Sequence, residues 1–254
     1  MKSINLWSKE MKVGFGSPMA YVTFTTFLLI TGYVFNGFSL AIAKQSIAYG
    51  TTNMPIVDQL FRPLSSHMAV ILLFMIPAIT MRLFAEERKT GTIELLYTYP
   101  VRDLDILLGK FLGAMSILLV LLLPTLLYAF MVKQITPIEW PVIISQYVGL
   151  FFLGTSYIAV GLWASNLSDN QIVAAILTLG SLLGFWLVGW LTQTFPTALW
   201  AKVLGQLSIL GHFDSFSKGV LNTSDITFYL LFIAFFLAAT LNGLNSRTWR
   251  GARE

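Results

Sequence analysis

The chain has 254 residues, of which 56% are hydrophobic and 11% charged, with a mean hydropathy of +0.74. Soluble domains carry about 25% charged residues, and a water-soluble fold of this size cannot enclose so much apolar surface, so lipid is the expected solvent. A net charge of +4 is too weak and scattered to point to nucleic acid, and with no cysteine and two histidines, His67 and His212, the chain offers no disulfide, zinc-thiolate or iron–sulfur site and little material for a metal centre.

The stretch from Ile4 to Phe15 is too short and too charged to cross a bilayer. Residues 1–17 read as an interfacial helix, with Ile4, Trp7, Met11 and Phe15 on one face and Lys2, Lys9 and Lys12 snorkelling to the headgroups. No short apolar core ending in a small-residue cleavage site follows these lysines, so the first span is expected to stay in the membrane.

A helix crosses the hydrocarbon core with about 20 mostly apolar residues. Six stretches fit: Met19 to Ala43, Ser65 to Met81, Phe111 to Val132, Pro141 to Ala164, Gln171 to Leu191 and Ile226 to Leu244. The second is short, and Leu83, Phe84 and Ala85 extend it past Arg82. The runs are continuous rather than alternating, which excludes barrel strands. The expected fold is all-α: one polytopic domain over residues 1–254. Pro77 and Pro124 mark expected kinks. Gly149, Gly154, Gly161, Gly180 and Gly184 offer close helix contacts on the fourth and fifth spans.

Six crossings put both termini on one side. Eleven of the 16 basic residues fall on that side and five on the other, so both termini are expected to be cytoplasmic. Residues 192–225, before the last span, are too apolar for a plain loop. Leu199, Trp200, Val203, Leu204, Leu207, Ile209 and Leu210, then Phe213, Phe216 and Val220 after Gly211, predict outer-face helices that either lie on the surface or re-enter the membrane.

Charge concentrates between the second and third spans, from Arg82 to Lys110. Glu86, Glu87, Arg88 and Lys89 form a mixed cluster, and Gly91 permits a turn. Ile93, Leu95, Leu96 and Tyr97 give a short apolar face around Glu94, and Pro100 ends it. Asp103 and Asp105 suit the start of the next helix. The residues admit two readings: a solvated loop that only sets topology, which composition favours, and a short cytoplasmic helix that transmits movement when a partner grips it. Asp169 follows Ser165, Asn166 and Ser168 at the next turn on that side, as a helix cap or a partner contact. His212 and Asp214 lack a third ligand and read as a surface cap. No GxSxG elbow and almost no mid-membrane charge appears, which argues against a hydrolase and an ion-coupled carrier.

The string AEERKTGTIELLYTYPVRDLDILLGKF resembles the signature of ATP-binding-cassette type-2 permeases, and is most similar to the small six-helix kind of gliding-motility and nitrous-oxide-reductase-maturation transporters. The family pattern matches at Glu87, Gly91, Thr92, Glu94, Leu96, Pro100, Val101, Gly109 and Lys110. SNLSDNQIVA (Ser165 to Ala174) and HFDSFSKGVLNTSDITFYL (His212 to Leu230) resemble the family's second cytoplasmic turn and its approach to the last helix. The resemblance implies a permease subunit of an exporter in the bacterial inner membrane. It implies two permease chains and separate ATPase subunits, which bind ATP and magnesium; this chain carries no GxxxxGK[ST] loop, no catalytic residue and no cofactor of its own. The expected ATPase-coupling residues are Glu86, Glu87, Arg88, Lys89, Gly91, Thr92, Glu94, Leu95, Leu96, Pro100 and Asp169. The alternative is a transmitter that drives a periplasmic partner without moving a substrate. Aromatic richness fits lipids, lipid-linked sugars and amphipathic peptides alike.

Overall fold

The computed structural model describes residues 2–49, 55–91, 102–194 and 205–251. Among them all regular structure is helical. Helix α1 (Lys2–Gly16) leads through Ser17 into α2 (Pro18–Tyr49). A π-helical turn (Val57–Phe61) opens α3 (Arg62–Thr80), which continues past Met81 as α4 (Arg82–Lys89). Helix α5 (Asp103–Leu122) passes through a 3₁₀ turn (Leu123–Thr125) into α6 (Leu126–Lys133). Then come α7 (Trp140–Leu167), α8 (Gln171–Thr194), α9 (Ile209–Ser217) and α10 (Thr223–Gly251).

Six helical paths are long and apolar enough to cross a membrane: Pro18–Ala48, Val57–Lys89, Asp103–Lys133, Trp140–Leu167, Gln171–Leu191 and Thr223–Leu244. Each contains one expected span. The second and third are longer than expected. Leu83 to Ala85 extend the second span as expected, and the helix runs on through Glu86 to Lys89, expected as part of a loop; Asp103 to Lys110 belongs to the third helix. Pro124 produces the 3₁₀ turn where the sequence predicts a kink, because proline cannot donate to the ladder.

The α3–α4 interruption at Met81 has a local cause. Ser165 Oγ of α7 accepts from Phe84 N at 3.1 Å and Ala85 N at 3.2 Å, and donates to Met81 O at 3.1 Å. A side chain inserted into a backbone ladder interrupts a helix.

Helix α7 is central. It packs on α3, α5, α8, α9 and α10, and 78% of its most apolar stretch is buried against 11% for α2. Between lipid-bathed helices there is little hydrophobic drive, so association relies on close packing. Gly161 of α7 supplies it: a Cβ there would overlap the Thr80 side chain of α3. Gly149 meets Phe216 of α9, and Gly154 meets Leu118 of α5. Gly180 and Gly184 on α8 have nothing within 4 Å of a Cβ among the described residues, so only part of the small-residue set serves contacts inside this chain.

Helix α1 runs parallel to α5. Leu6 abuts Gly109, Glu10 abuts Gly113 and Gly14 abuts Ile117, a four-residue step on both helices. Trp7 Nε1 donates to Ser116 Oγ at 2.9 Å. The α1 face turned to the bundle is therefore Leu6, Trp7, Glu10 and Gly14, while Lys9 and Lys12 are exposed.

At the opposite end of the bundle, α9 is held against α7. Ser145 Oγ donates to Phe216 O at 3.2 Å and Gln146 Nε2 to Ser217 O at 2.9 Å. Phe213 and Phe216 are buried. Of the expected outer segment, Leu199, Trp200, Val203 and Leu204 lie outside the described residues.

Candidate functional site

The charged end of the bundle gathers α1, α4, the start of α5, the end of α7 and α10. Helix α4 carries Arg88 and Lys89 in its last turn, where cations suit the negative helix end. Thr90 N bonds to Glu86 O at 3.0 Å, and Gly91 adopts φ 70°, a left-handed value that glycine takes without strain. Helix α5 begins with Asp103 and Asp105 in its first turn.

The α4 charges expected to sit in water divide into two kinds. Glu86 and Lys89 are exposed. Glu87 and Arg88 turn into the fold. Lys110 Nζ lies 2.9 Å from Glu87 Oε2 and 3.0 Å from Glu10 Oε1, with its side chain only 3% exposed. It also sits 5.2 Å above the Phe84 ring, and Lys9 Nζ lies 3.8 Å from Glu87 Oε1. A buried ammonium is tolerated when such partners compensate it.

Arg88 reaches the end of α7. Its guanidinium donates to both the backbone and side-chain oxygens of Asn166, and lies 3.7 Å from Asp169 Oδ1. Asn166 is buried and its amide donates to Thr240 O of α10 at 3.0 Å. Asn170 caps α8, with Oδ1 accepting from Ile172 N at 2.9 Å.

Glu86, Glu87, Arg88, Lys89, Gly91 and Asp169 therefore gather at one end of the bundle. Thr92, Glu94, Leu95, Leu96 and Pro100 lie outside the described residues. Sequence reasoning missed Glu10, Ser165 and Asn166 as site residues, and took Lys110 as a topology charge and a position of the family pattern without giving it a partner. The available signal was a lysine seven positions into an apolar helix, which demands a partner.

At the far end, His212 does not pair with Asp214. His212 Nδ1 lies 2.6 Å from Asp225 Oδ1, and its ring stacks on Phe228 at 3.9 Å. Asp214 binds Arg62 at 3.2 Å and Lys218 instead. Among the described residues no cluster of His, Asp or Glu is placed to hold a metal ion.

A search of curated proteins finds no match. The profile described as ABC-2 family transporter protein matches residues 4–244, spanning all six membrane-crossing helices and the charged end just described. With a match over nearly its whole length, this multi-pass membrane chain belongs to the ABC-2 family of transporter proteins.

Proposed function

We propose that the chain is the permease subunit of an ATP-driven exporter of the bacterial inner membrane, of the small six-helix kind, with both termini cytoplasmic. Two such chains work with separate ATPase subunits, which carry the ATP and magnesium. The observation that carries the reading is the bracing of both flanks of residues 92–101. Glu87, before that segment, is ion-paired to Lys110 after it. Arg88 ties the same flank to Asn166 of the central helix. Movement imposed on residues 92–101 would thus pass to α1, α5 and α7 rather than dissipate in a slack loop.

The experiment purifies the permease with its ATPase and measures association and ATP turnover. Glu94→Lys places an unmatched charge at the contact, where like-charge juxtaposition costs several kcal/mol. Leu96→Asp buries a carboxylate in place of apolar area. Both are expected to uncouple the pair at normal membrane levels. Unchanged assembly and turnover in both would reduce the segment to a topology-setting turn.

A second reading, transmission of ATPase motion to a periplasmic partner, draws on the exposed Val220 and Leu221 beside α9. It expects an envelope protein to co-purify with the chain and to be lost on Leu221→Glu.

A further inference from the structure

A cavity of about 470 Å³ lies between α1, α2, α3–α4 and α5 at the charged end of the bundle. Small-molecule sites run to about 300–1,000 Å³. Its lining changes character along one helical stripe. Ala78, Arg82, Glu86 and Thr90 all line it at four-residue steps, so one face of α3–α4 presents an apolar group, a cation and then an anion. Ala20 of α2 and Ile117 of α5 add apolar groups to the lining. Val13 and Met19, also in the lining, are exposed, so that side is open.

The charges in this lining are not equally satisfied. Lys110 and Lys9 are matched by Glu10 and Glu87. Arg82 is not matched. One of its terminal nitrogens donates to Ser17 Oγ, but its Nε is shut off from solvent and has no hydrogen-bond partner. No carboxylate pairs with Arg82 among the described residues, and no cation pairs with Glu86. Residues four apart on a helix would ordinarily pair with each other. Here Arg82 turns towards Ser17 and the two charges stay apart, separated by about 6 Å of helix rise.

We propose that this cavity binds one amine-bearing zwitterionic phospholipid. Its phosphate accepts from the Arg82 guanidinium, its ammonium donates to the Glu86 carboxylate, and the upper part of one acyl chain lies along Ala78, Ala20 and Ile117. The order of groups in such a lipid, chain then phosphate then ammonium, is the order of the stripe. Arg82 lines the cavity without a carboxylate partner, and its terminal nitrogens can donate charge-assisted bonds to a phosphate. A phosphatidylcholine headgroup has no N–H to offer Glu86. A phosphatidylglycerol headgroup has no cation. Glu86 is also an expected coupling residue, but lipid binding by the isolated chain needs no ATPase, so the site is tested separately from the transport reading.

The test is native mass spectrometry of the full chain in detergent, titrated with phosphatidylethanolamine, phosphatidylglycerol and phosphatidylcholine of identical acyl chains. One phosphatidylethanolamine adduct is expected, bound about tenfold more tightly than the others, as one charge-assisted bond provides. Arg82→Gln should weaken it by about tenfold or more, and Glu86→Gln should erase its advantage over phosphatidylglycerol. Ala78→Phe and Ala20→Phe fill the cavity from two different helices, leave both charges in place, and should each abolish the adduct in monodisperse protein. Equal binding of all three lipids, or an adduct indifferent to both phenylalanines, would overturn the proposal. So would competition by phosphoethanolamine alone at the lipid's own concentration, because the acyl chain would then contribute nothing.

Discussion

Lys110 of α5 and Glu87 of α4 stand 2.9 Å apart, one on each side of residues 92–101, and the lysine is almost completely enclosed. One ion pair therefore fixes the separation of the two helices that this segment joins. Glu10 completes the pair from α1, 100 residues away in the chain. The three helices form a braced unit at the charged end, with Lys110 as the shared cation.

Removing that cation leaves the Glu10 and Glu87 carboxylates facing one space, with the exposed Lys9 3.8 Å from Glu87 Oε1 as a remaining cation. Lys110→Met is expected to destabilise the protein by on the order of 3 kcal/mol, the range for breaking a buried pair from one side. Glu87→Gln should cost less, because Glu10 still holds the ammonium. Reversible unfolding in detergent measures both, and the Lys110→Met, Glu87→Gln double variant closes the cycle. Additive losses would show that the two residues do not interact.

The glycines provide an internal comparison. At Gly161 an added side chain meets Thr80, whose branched Cβ cannot swing away, so the helices must part. Gly161→Val is expected to cost about 1–3 kcal/mol of stability, the usual price of overpacking. Gly180→Ala meets nothing within 4 Å among the described residues and should not lower monomer stability. If Gly180→Ala nevertheless weakens self-association, the open face of α8 is where the second chain packs. Chemical cross-linking with increasing protein concentration reads that directly.

The six spans are legible in the sequence because length and continuous apolarity are properties of one segment at a time. Both proline effects are local as well, yet only one follows the expected form. The 3₁₀ turn falls at Pro124, whereas the helix interruption after Pro77 comes at Met81, where Ser165 enters from α7. A serine near the end of an apolar helix gives no sign of which distant backbone it will meet. The same holds for the charge network. Glu87 and Arg88 look like solvated neighbours in the string EERK. On α4 they point in different directions, one to α1 and α5 and the other to α7, because successive helical residues turn by about 100°. His212 and Asp214 illustrate the converse. Their sequence spacing invites pairing, but on one helical turn they diverge, and each finds its partner on another element.

At the far end, Asp214 links α9 to α3 through Arg62 and to its own helix terminus through Lys218. Partial burial pushes its carboxyl upward, but the hydrogen bonds and charges of Lys218 and Arg62 outweigh that and hold it below the ordinary carboxylate value. The sign follows. A carboxyl depressed in the folded state binds protons more weakly there than in the unfolded chain. Its stabilising contribution is complete above the unfolded value, near pH 4, and is lost as pH falls through the folded one. Asp214 is well exposed, so solvent screening limits the effect to about 1 kcal/mol or less. Asp214→Asn is therefore expected to unfold slightly before the parent protein at pH 7 and at pH 5, by an equal margin, with the margin closing below about pH 4. Thermal unfolding of both proteins in the same detergent, scanned across that range, isolates this residue from the other carboxylates that titrate with it. A margin that stays constant down to the lowest pH would mean that Asp214 holds α9 through shape and neutral hydrogen bonds, and that its charge contributes nothing to the clasp.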